Sequence, residues 1–456
     1  MTVAAKDGGG RRSGGRPLII PAVGTLLALF VLVVLGPAMT NGGPPTGNVV
    51  RQAIFTALLL GAVWAAGAFK QPLKLLKLPV LFLATIAWCW ISVSWSIVPM
   101  ISLRRILLTT IVIWTVFLVV EDCGYDRTVK VVMAALFGLL LINYAAVVVS
   151  PETAIHHLVP GEDKGLVGDW RGVLPQKNFA GAFCAFTILF FAFSPSRSWR
   201  YSLADLKKKI PRELIISLAI RAVTIAAAAF FLFKTESKTS MGMAAMGLLA
   251  GAIFIFLPQR ARMIAVPFVA LSSLAAMLFW AESWRESVGP FSKPTDFTGR
   301  VQIWPHLVSY IQDHPLTGTG YGAFWNIGDE SPIFEYSKTW VATLASGHNG
   351  YLDLAAQVGL PGLLLAVMAA FVVPFYKLLT SSTVSPWRGA LLVGMLVFCA
   401  GHNMTESGLF ERDVIVWVFL LITVALAEIA TRPPSAAART GSRSRSRRKR
   451  ALPSFD

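Results

Sequence analysis

Repeated apolar runs of near-spanning length constrain this chain more than any other feature. About 20 apolar helical residues cross the roughly 30 Å hydrocarbon layer of a bilayer, and only helices or closed barrels satisfy their backbone there. Such runs recur at residues 18–35, 50–68, 79–97, 102–120, 130–149, 178–193, 213–233, 241–257, 263–280, 358–376, 389–404 and 413–430. The pattern predicts an all-α polytopic membrane protein with about twelve transmembrane helices. Composition agrees. Of the 456 residues, 55% are hydrophobic and 14% charged, against about 25% charged in an average soluble domain. The basic start, Lys6, Arg11, Arg12 and Arg16 ahead of Leu18–Leu35, has the outline of a signal peptide. No small-x-small cleavage site follows clearly and further spans come at once, so the first run reads as an anchor.

The net charge of +17 invites a nucleic-acid reading. The basic residues gather instead in short loops and in the tail, as the positive-inside bias requires, so no nucleic-acid partner is expected. The tail 431–456, with its run from Arg443 to Arg450, reads as a disordered segment held near anionic cytoplasmic lipids. Residues 1–17 read as a second flexible cytoplasmic tail. Lys70, Lys74 and Lys77, the loop Arg197–Arg212, and Arg260 with Arg262 mark the same side as the termini. The opposite, extracytoplasmic side then receives 36–49, 96–101, 150–177, 234–240, 281–357 and 405–412. Cys89, Cys123, Cys184 and Cys399 show no paired spacing and lie in or beside apolar runs, so they read as helix-packing residues.

The long polar stretch 281–357 sits between membrane helices 18–280 and 358–430 and is the expected catalytic loop. Asp296 or Thr298 is placed to cap a helix on which Val301, Trp304, Leu307/Val308 and Ile311 recur at helical spacing. Arg300 opens that apolar face, and the helix should aim it at the membrane domain. His314-Pro315 ends the helix, and Gly318, Gly320 and Gly322 make a turn. That turn resembles a dinucleotide loop only superficially, because no strand precedes it. Ser346 is placed to cap a second helix with His348 in its first turn, where the helix dipole disfavours the imidazolium and favours a neutral base. Gly359 and Pro361 should break this helix before the next span. The bland alternative for His348 is a hydrogen-bonded surface residue.

Other polar groups sit on the same side. Arg171 and Lys177 lie among turn residues before a span. A planar guanidinium suits bidentate phosphate binding, and a lysine adds a point charge; the bland alternative is an interfacial anchor. Arg104 and Arg105 open a span, where an arginine costs roughly 2.5–3.5 kcal/mol on insertion scales and so has a partner, a task, or a path to the headgroups. The turn Lys234–Ser240 carries hydroxyls and two lysines, and His402-Asn403 with Glu406 closes another span. There is no Asp-x-Asp pair, His-Glu-x-x-His, Walker A loop or Gly-x-Ser-x-Gly. Arginine, lysine and histidine remain, a set that suits a substrate whose leaving group is already a phosphate.

These residues resemble the O-antigen ligase and polymerase superfamily. The resemblance rests on Thr298-Gly299-Arg300-x-x-x-Trp304, His314-Pro315-Leu316-x-Gly318-x-Gly320, and His348-Asn349-x-Tyr351-Leu352 with Gly359-Leu360-Pro361-Gly362. Ser94-Trp95-Ser96, Arg171-Gly172 through Asn178, and Glu236–Ser240 add support. The pattern is most similar to exopolysaccharide polymerases of the bacterial inner membrane. The resemblance implies a donor glycan on undecaprenyl diphosphate in the outer half of the membrane. It implies that His348 activates the acceptor hydroxyl and that Arg171 and Arg300 hold the pyrophosphate. Lys177, Arg104 and Arg105 extend that binding set, and Asn349, His402 and Glu406 are further candidates. No metal, cofactor or nucleotide is expected, and transfer inverts the anomeric carbon. A separate chain-length regulator and an export complex are the partners such a polymerase implies. Two rivals share parts of the pattern: an O-antigen ligase that transfers the glycan to lipid A core, and a transporter of lipid-linked sugar. Lengthening of purified lipid-linked oligosaccharide by the protein alone separates enzyme from transporter.

The charge asymmetry generates a topology prediction. A cysteine introduced in 325–340 should react with an impermeant reagent added outside intact cells. Reaction only after lysis overturns the orientation.

Overall fold

The computed structural model describes residues 19–35, 49–158, 164–194, 211–272 and 300–433. Most of the expected loop Arg197–Arg212, the outer part of the span 263–280, the stretch 281–299 with its caps Asp296 and Thr298, and the tail from 434 lie outside the described residues. Among the described residues the structure is helical, without a strand; one isolated antiparallel bridge joins Ile155 and Trp170. The longer helices are α1 (Ile19–Leu35), α2 (Val49–Ala65), α3 (Val80–Ile91), α4 (Pro99–Cys123), α5 (Tyr125–Val149), α6 (Lys177–Phe193), α7 (Arg212–Lys234) and α8 (Lys238–Phe256). Beyond helical residues 259–272 follow α9 (Arg300–Asp313), α10 (Gly350–Val367), α11 (Val373–Thr380), α12 (Pro386–His402) and α13 (Ile415–Thr431).

Five of the described segments, α4, α5, α7, α8 and Gly350–Thr380, are long and apolar enough to cross a membrane. Five shorter apolar helices accompany them, including α1, α2, α6 and α13. The protein is a multi-pass membrane protein, and its exposed surface says the same. Val223, Phe230 and Phe233 on α7 and Leu141, Val148 and Val149 on α5 are half or more exposed, which is the lipid-facing pattern. The centre is α6, α12 and α13. Every residue of α13 from Ile415 to Ala427 is buried, as for a helix apolar all round. Phe186 of α6 stacks on Phe419 of α13 with ring centroids 4.3 Å apart.

Lipid tails are as apolar as leucine, so helices in a membrane associate through close packing rather than water exclusion. The α8–α12 contact shows this. A Cβ on Gly247 would lie 2.8 Å from the Gly394 carbonyl oxygen, and one on Gly394 would lie 2.7 Å from that of Gly247. Glycine at both positions lets the two backbones touch.

At one end of the bundle the segments expected outside meet. Ile97 N–H donates to the Thr319 carbonyl, Trp170 N–H to Lys234, and Thr239 pairs with Thr405 at 2.9 Å. The described part of the polar loop has its own small core of Ile303, Leu307, Tyr310, Ile311, Phe324, Trp325, Ile333 and Val341, closed by Ala355 and Ala356 of α10.

Three sequence expectations need correction here. The buried face of α9 is Ile303, Leu307, Tyr310 and Ile311, while Val308 is exposed; aromatic Tyr310, stacked on His314 and packed on Phe324, outcompetes valine for the interior. Ser346 does not cap the second helix. Asn349 does, with Oδ1 accepting from Tyr351 and Leu352 N–H at 3.1 Å each, so His348 precedes the helix instead of lying in its first turn. Gly359 kinks the helix (φ 70°) without ending it, and the chain runs on through a π-helical turn at Met368–Val372. Its neighbours supply hydrogen bonds across the kink: Leu360 N–H donates to the Pro315 carbonyl, and the Val358 carbonyl accepts from Trp88.

Gly247→Ala should lower the melting temperature of the purified protein in detergent, by an overpacking cost of about 1–3 kcal/mol. Gly242→Ala on the same helix, where a Cβ meets nothing within 4 Å, should leave it unchanged or raise it slightly. Equal responses would dissociate stability from the α8–α12 contact.

Candidate active site

The α12–α13 connection is stitched by a fully buried asparagine. Asn403 Nδ2 donates to the Cys399 carbonyl at 2.8 Å, and its Oδ1 accepts from Gly408 N–H at 3.0 Å. The start of α10 is tied to the same turn. Gly350 N–H points at the Asn403 carbonyl at 2.8 Å and the Glu406 carbonyl at 3.2 Å. A Cβ at Gly350 would lie 2.5 Å from Asn403 Oδ1, so only glycine allows this approach. The backbone thereby sets His348 beside Glu406.

A buried carboxylate braces both. Asp353 accepts from Gly347 N–H at 3.0 and 3.1 Å, from Trp325 Nε1 at 2.7 Å, and from the Ser407 hydroxyl. One side chain thus holds the residue before His348 and the residue after Glu406. From α9, Trp304 Nε1 donates to the Gly347 carbonyl at 3.1 Å. His348 itself takes the left-handed backbone region, with φ 50°. That region is costly for a residue with a Cβ, and bracing from both sides holds it there.

Glu406 is the centre. Its Oε1 accepts from the Arg300 guanidinium and from Asn178 Nδ2 at 2.7 Å; its Oε2 lies 3.4 Å from His348 Nδ1. Asn178 is held in turn by Ser237, whose hydroxyl donates to Asn178 Oδ1 at 3.3 Å. Burial pushes the Glu406 pKa up, but the Arg300 guanidinium first, and then His348, overcome it and hold the carboxyl at about 2. Glu406 is therefore ionised throughout the physiological range. A carboxylate facing Nδ1 favours the tautomer with the proton on Nδ1 and the lone pair on Nε2. The side chain is about one-third exposed, so the imidazole is not sealed off from a substrate. The arrangement can orient a neutral histidine as a base next to a guanidinium of fixed position.

The other expected residues fall as follows. Lys177 pairs with buried Asp169 at 2.6 Å, one residue from Asn178. Arg171 Nε donates to the Thr153 carbonyl at 2.9 Å and Nη1 to that of Pro175 at 3.3 Å. It is anchored in the loop that carries Lys177 and Asn178. Arg105 donates to the carbonyls of Gly322, Trp325 and Asn326, which makes it a clamp on the loop, and Arg104 lies beside it. Asn349 is the cap of α10. His402 ends α12, buried against Phe398 with ring centroids 5.3 Å apart and both ring nitrogens without a hydrogen-bond partner. Asp353 and the Asn178–Ser237 link were not singled out from sequence. An aspartate in the first turn of an otherwise apolar helix was the available signal for Asp353.

Parts of the chain are similar to known proteins. Residues 223–367 match the family described as O-antigen ligase, a range that contains Arg300 and His348 but not Glu406. The chain is 28% identical over 181 residues to the exopolysaccharide production protein ExoQ of Rhizobium meliloti (strain 1021), covering 38% of this chain and 42% of that protein. The match thus spans less than half the length of the curated relative.

The depressed Glu406 pKa has a sign. The ionised carboxylate contributes stability above the ordinary value of 4.5, and that contribution is lost as pH falls from there through about 2. Across pH 5–8 this group should not titrate. Glu406→Gln should destabilise the purified protein by roughly 3–5 kcal/mol, because it strands the Arg300 charge. Thermal melts at pH 7 check this, and an unchanged melt removes Glu406 as the tie between loop and bundle.

Proposed function

The chain belongs to the O-antigen ligase and polymerase family, and on that premise we propose that it is a metal-independent glycosyltransferase. In this reading it polymerises undecaprenyl-diphosphate-linked oligosaccharide repeat units for an exopolysaccharide. The observation that carries the reading is the Arg300–Glu406–His348 cluster, with its part-exposed imidazole, at the end of the bundle where the polar loop packs. Membrane helices 18–280 and 358–430 flank the extracytoplasmic catalytic loop 281–357, and the basic tails 1–17 and 431–456 face the cytoplasm of a bacterial inner membrane.

The acceptor hydroxyl gives its proton to His348 Nε2 as its oxygen attacks the anomeric carbon of the donor. The bond from that carbon to the diphosphate breaks, and the electron pair leaves with the lipid diphosphate. The configuration inverts. A positioned base contributes about 100- to 10,000-fold. Glu406 holds the ring and stabilises its protonated form, as the carboxylate of a hydrolase triad does for its histidine. A guanidinium has five N–H donors. Arg300 turns Nη2 to Glu406, and its other donors are available for the growing charge on the departing diphosphate. Arg171 and Lys177, on the loop next to Asn178, are the remaining cations proposed for the diphosphate, with Arg104 and Arg105 behind them. Asn349 caps the helix that carries the base, and His402 lies beneath Glu406. A chain-length regulator and an export complex are the proposed partners. The family description favours one second reading, ligation of the finished glycan to lipid A core.

Polymer formation from purified lipid-linked repeat units tests the proposal. The wild type should lengthen the substrate without added metal. His348→Ala and His348→Gln should abolish polymer while leaving donor binding intact, whereas His306→Ala should reduce it modestly. Arg300→Lys should lose most activity and weaken donor binding, because a point charge cannot replace the planar fork. Wild-type polymer from His348→Ala would remove that residue from the chemistry. Donor transfer to lipid A core in place of lengthening would select the ligase.

A further inference from the structure

The end of the bundle opposite the candidate site has a cavity of its own, between the last turns of α2, α4 and α13. Its volume is about 140 Å³, on the order of ten times the room one water needs. Lys74, Lys77, Glu121, Asp122, Glu428 and Arg432 line it, three cations and three carboxylates, beside an apolar wall that includes Leu78 and Phe117. Most of these charges are matched within the protein. Arg432 forms a bidentate pair with Glu121 at 2.7 Å, Lys77 lies 3.6 Å from Glu121, and Lys377 donates to both oxygens of Glu428 at 2.7 and 2.8 Å. Two groups are left. Asp122 Oδ2 is buried with no hydrogen-bond partner. Lys74 gives one donor to the Ala66 carbonyl, and an ammonium has three.

The remainder is thus one carboxylate oxygen that needs a donor and one ammonium with donors to give, in a cavity with an apolar wall. A buried acceptor without a partner costs about 1–3 kcal/mol, so this arrangement favours a ligand that completes it. The complement is a molecule with a primary ammonium, an anionic phosphate and an apolar body. The surroundings point to the bilayer as its source. Phe69, Leu73 and Leu76 are 65%, 76% and 62% exposed around Lys70, Lys74 and Lys77. Such a turn, with apolar side chains outward and lysine heads between them, sits at a headgroup layer. We propose that this cavity binds the headgroup of a zwitterionic aminophospholipid, with its phosphate on Lys74 and its primary ammonium on Asp122. The site lies a full helix length from the glycosyl-transfer residues and does not depend on their role.

Native mass spectrometry of the full-length protein in detergent tests this, with phosphatidylethanolamine, phosphatidylglycerol and phosphatidylcholine added in turn. The wild type should retain phosphatidylethanolamine about tenfold better than the other two, the scale of one charge-assisted hydrogen bond. Phosphatidylglycerol lacks the ammonium, and the quaternary ammonium of phosphatidylcholine has no N–H for Asp122. Asp122→Asn should abolish the preference over phosphatidylglycerol, and Lys74→Gln should weaken retention of phosphatidylethanolamine. The wild-type comparison needs no variant, so misfolding of either cannot rescue the idea. Equal retention of all three lipids by the wild type, retention of none, or an unchanged preference in folded Asp122→Asn would each overturn it.

Discussion

The Glu406 carboxylate is the interaction on which the candidate site depends. It is buried, and a buried charge persists only when paired and hydrogen-bonded. Its partners come from three separate parts of the chain: Arg300 at the start of the loop helix, Asn178 at the start of α6, and His348 ahead of α10. Removing it strands a guanidinium and releases the ring of the histidine at once. A single side chain therefore couples the position of the loop to the orientation of the His348 imidazole. The same charge keeps Nδ1 occupied.

A second carboxylate makes that coupling rigid. Asp353 fixes Gly347 and Ser407, the neighbours of His348 and Glu406. The loop residues Trp304 and Trp325 donate to the same framework. The polar loop is thus more than a surface excursion. It has an apolar core shared with α10, and its tryptophan N–H groups end in the site. Arg105 holds the far side of that loop through three carbonyls. An arginine at the head of a membrane span here has a structural partner as well as a place near the proposed diphosphate.

The membrane domain shows the opposite logic. Its centre is apolar, and its packing relies on close backbone contact, as between Gly247 and Gly394. Among the described residues the ion pairs lie toward the two ends. One end gathers Arg300, Glu406, His348, Lys177 and Asp169; the other gathers Glu121, Arg432, Lys77, Glu428 and Lys377. Polar groups at membrane depth are expensive unless paired, so the proposed transfer site and the proposed lipid site both fall where helices end.

The sequence by itself determined the class of this protein and the approximate place of its helices, and it singled out all three members of the central cluster, Glu406 only as a further candidate. Those features are local. An apolar run, a lysine cluster or a histidine beside glycines is visible without knowing what packs against it. The register of α9 and the capping of α10 were misread because tyrosine and asparagine settled contacts that propensity leaves open. The tertiary structure alone decided that Glu406 joins Arg300, 106 residues away, and Asn178, 228 residues away. It also decided that Asp353 braces both, and that Asp122 and Lys74 share a cavity with paired charges around them. A carboxylate's partners depend on which loops meet at one end of a bundle, and no spacing along the chain encodes that meeting.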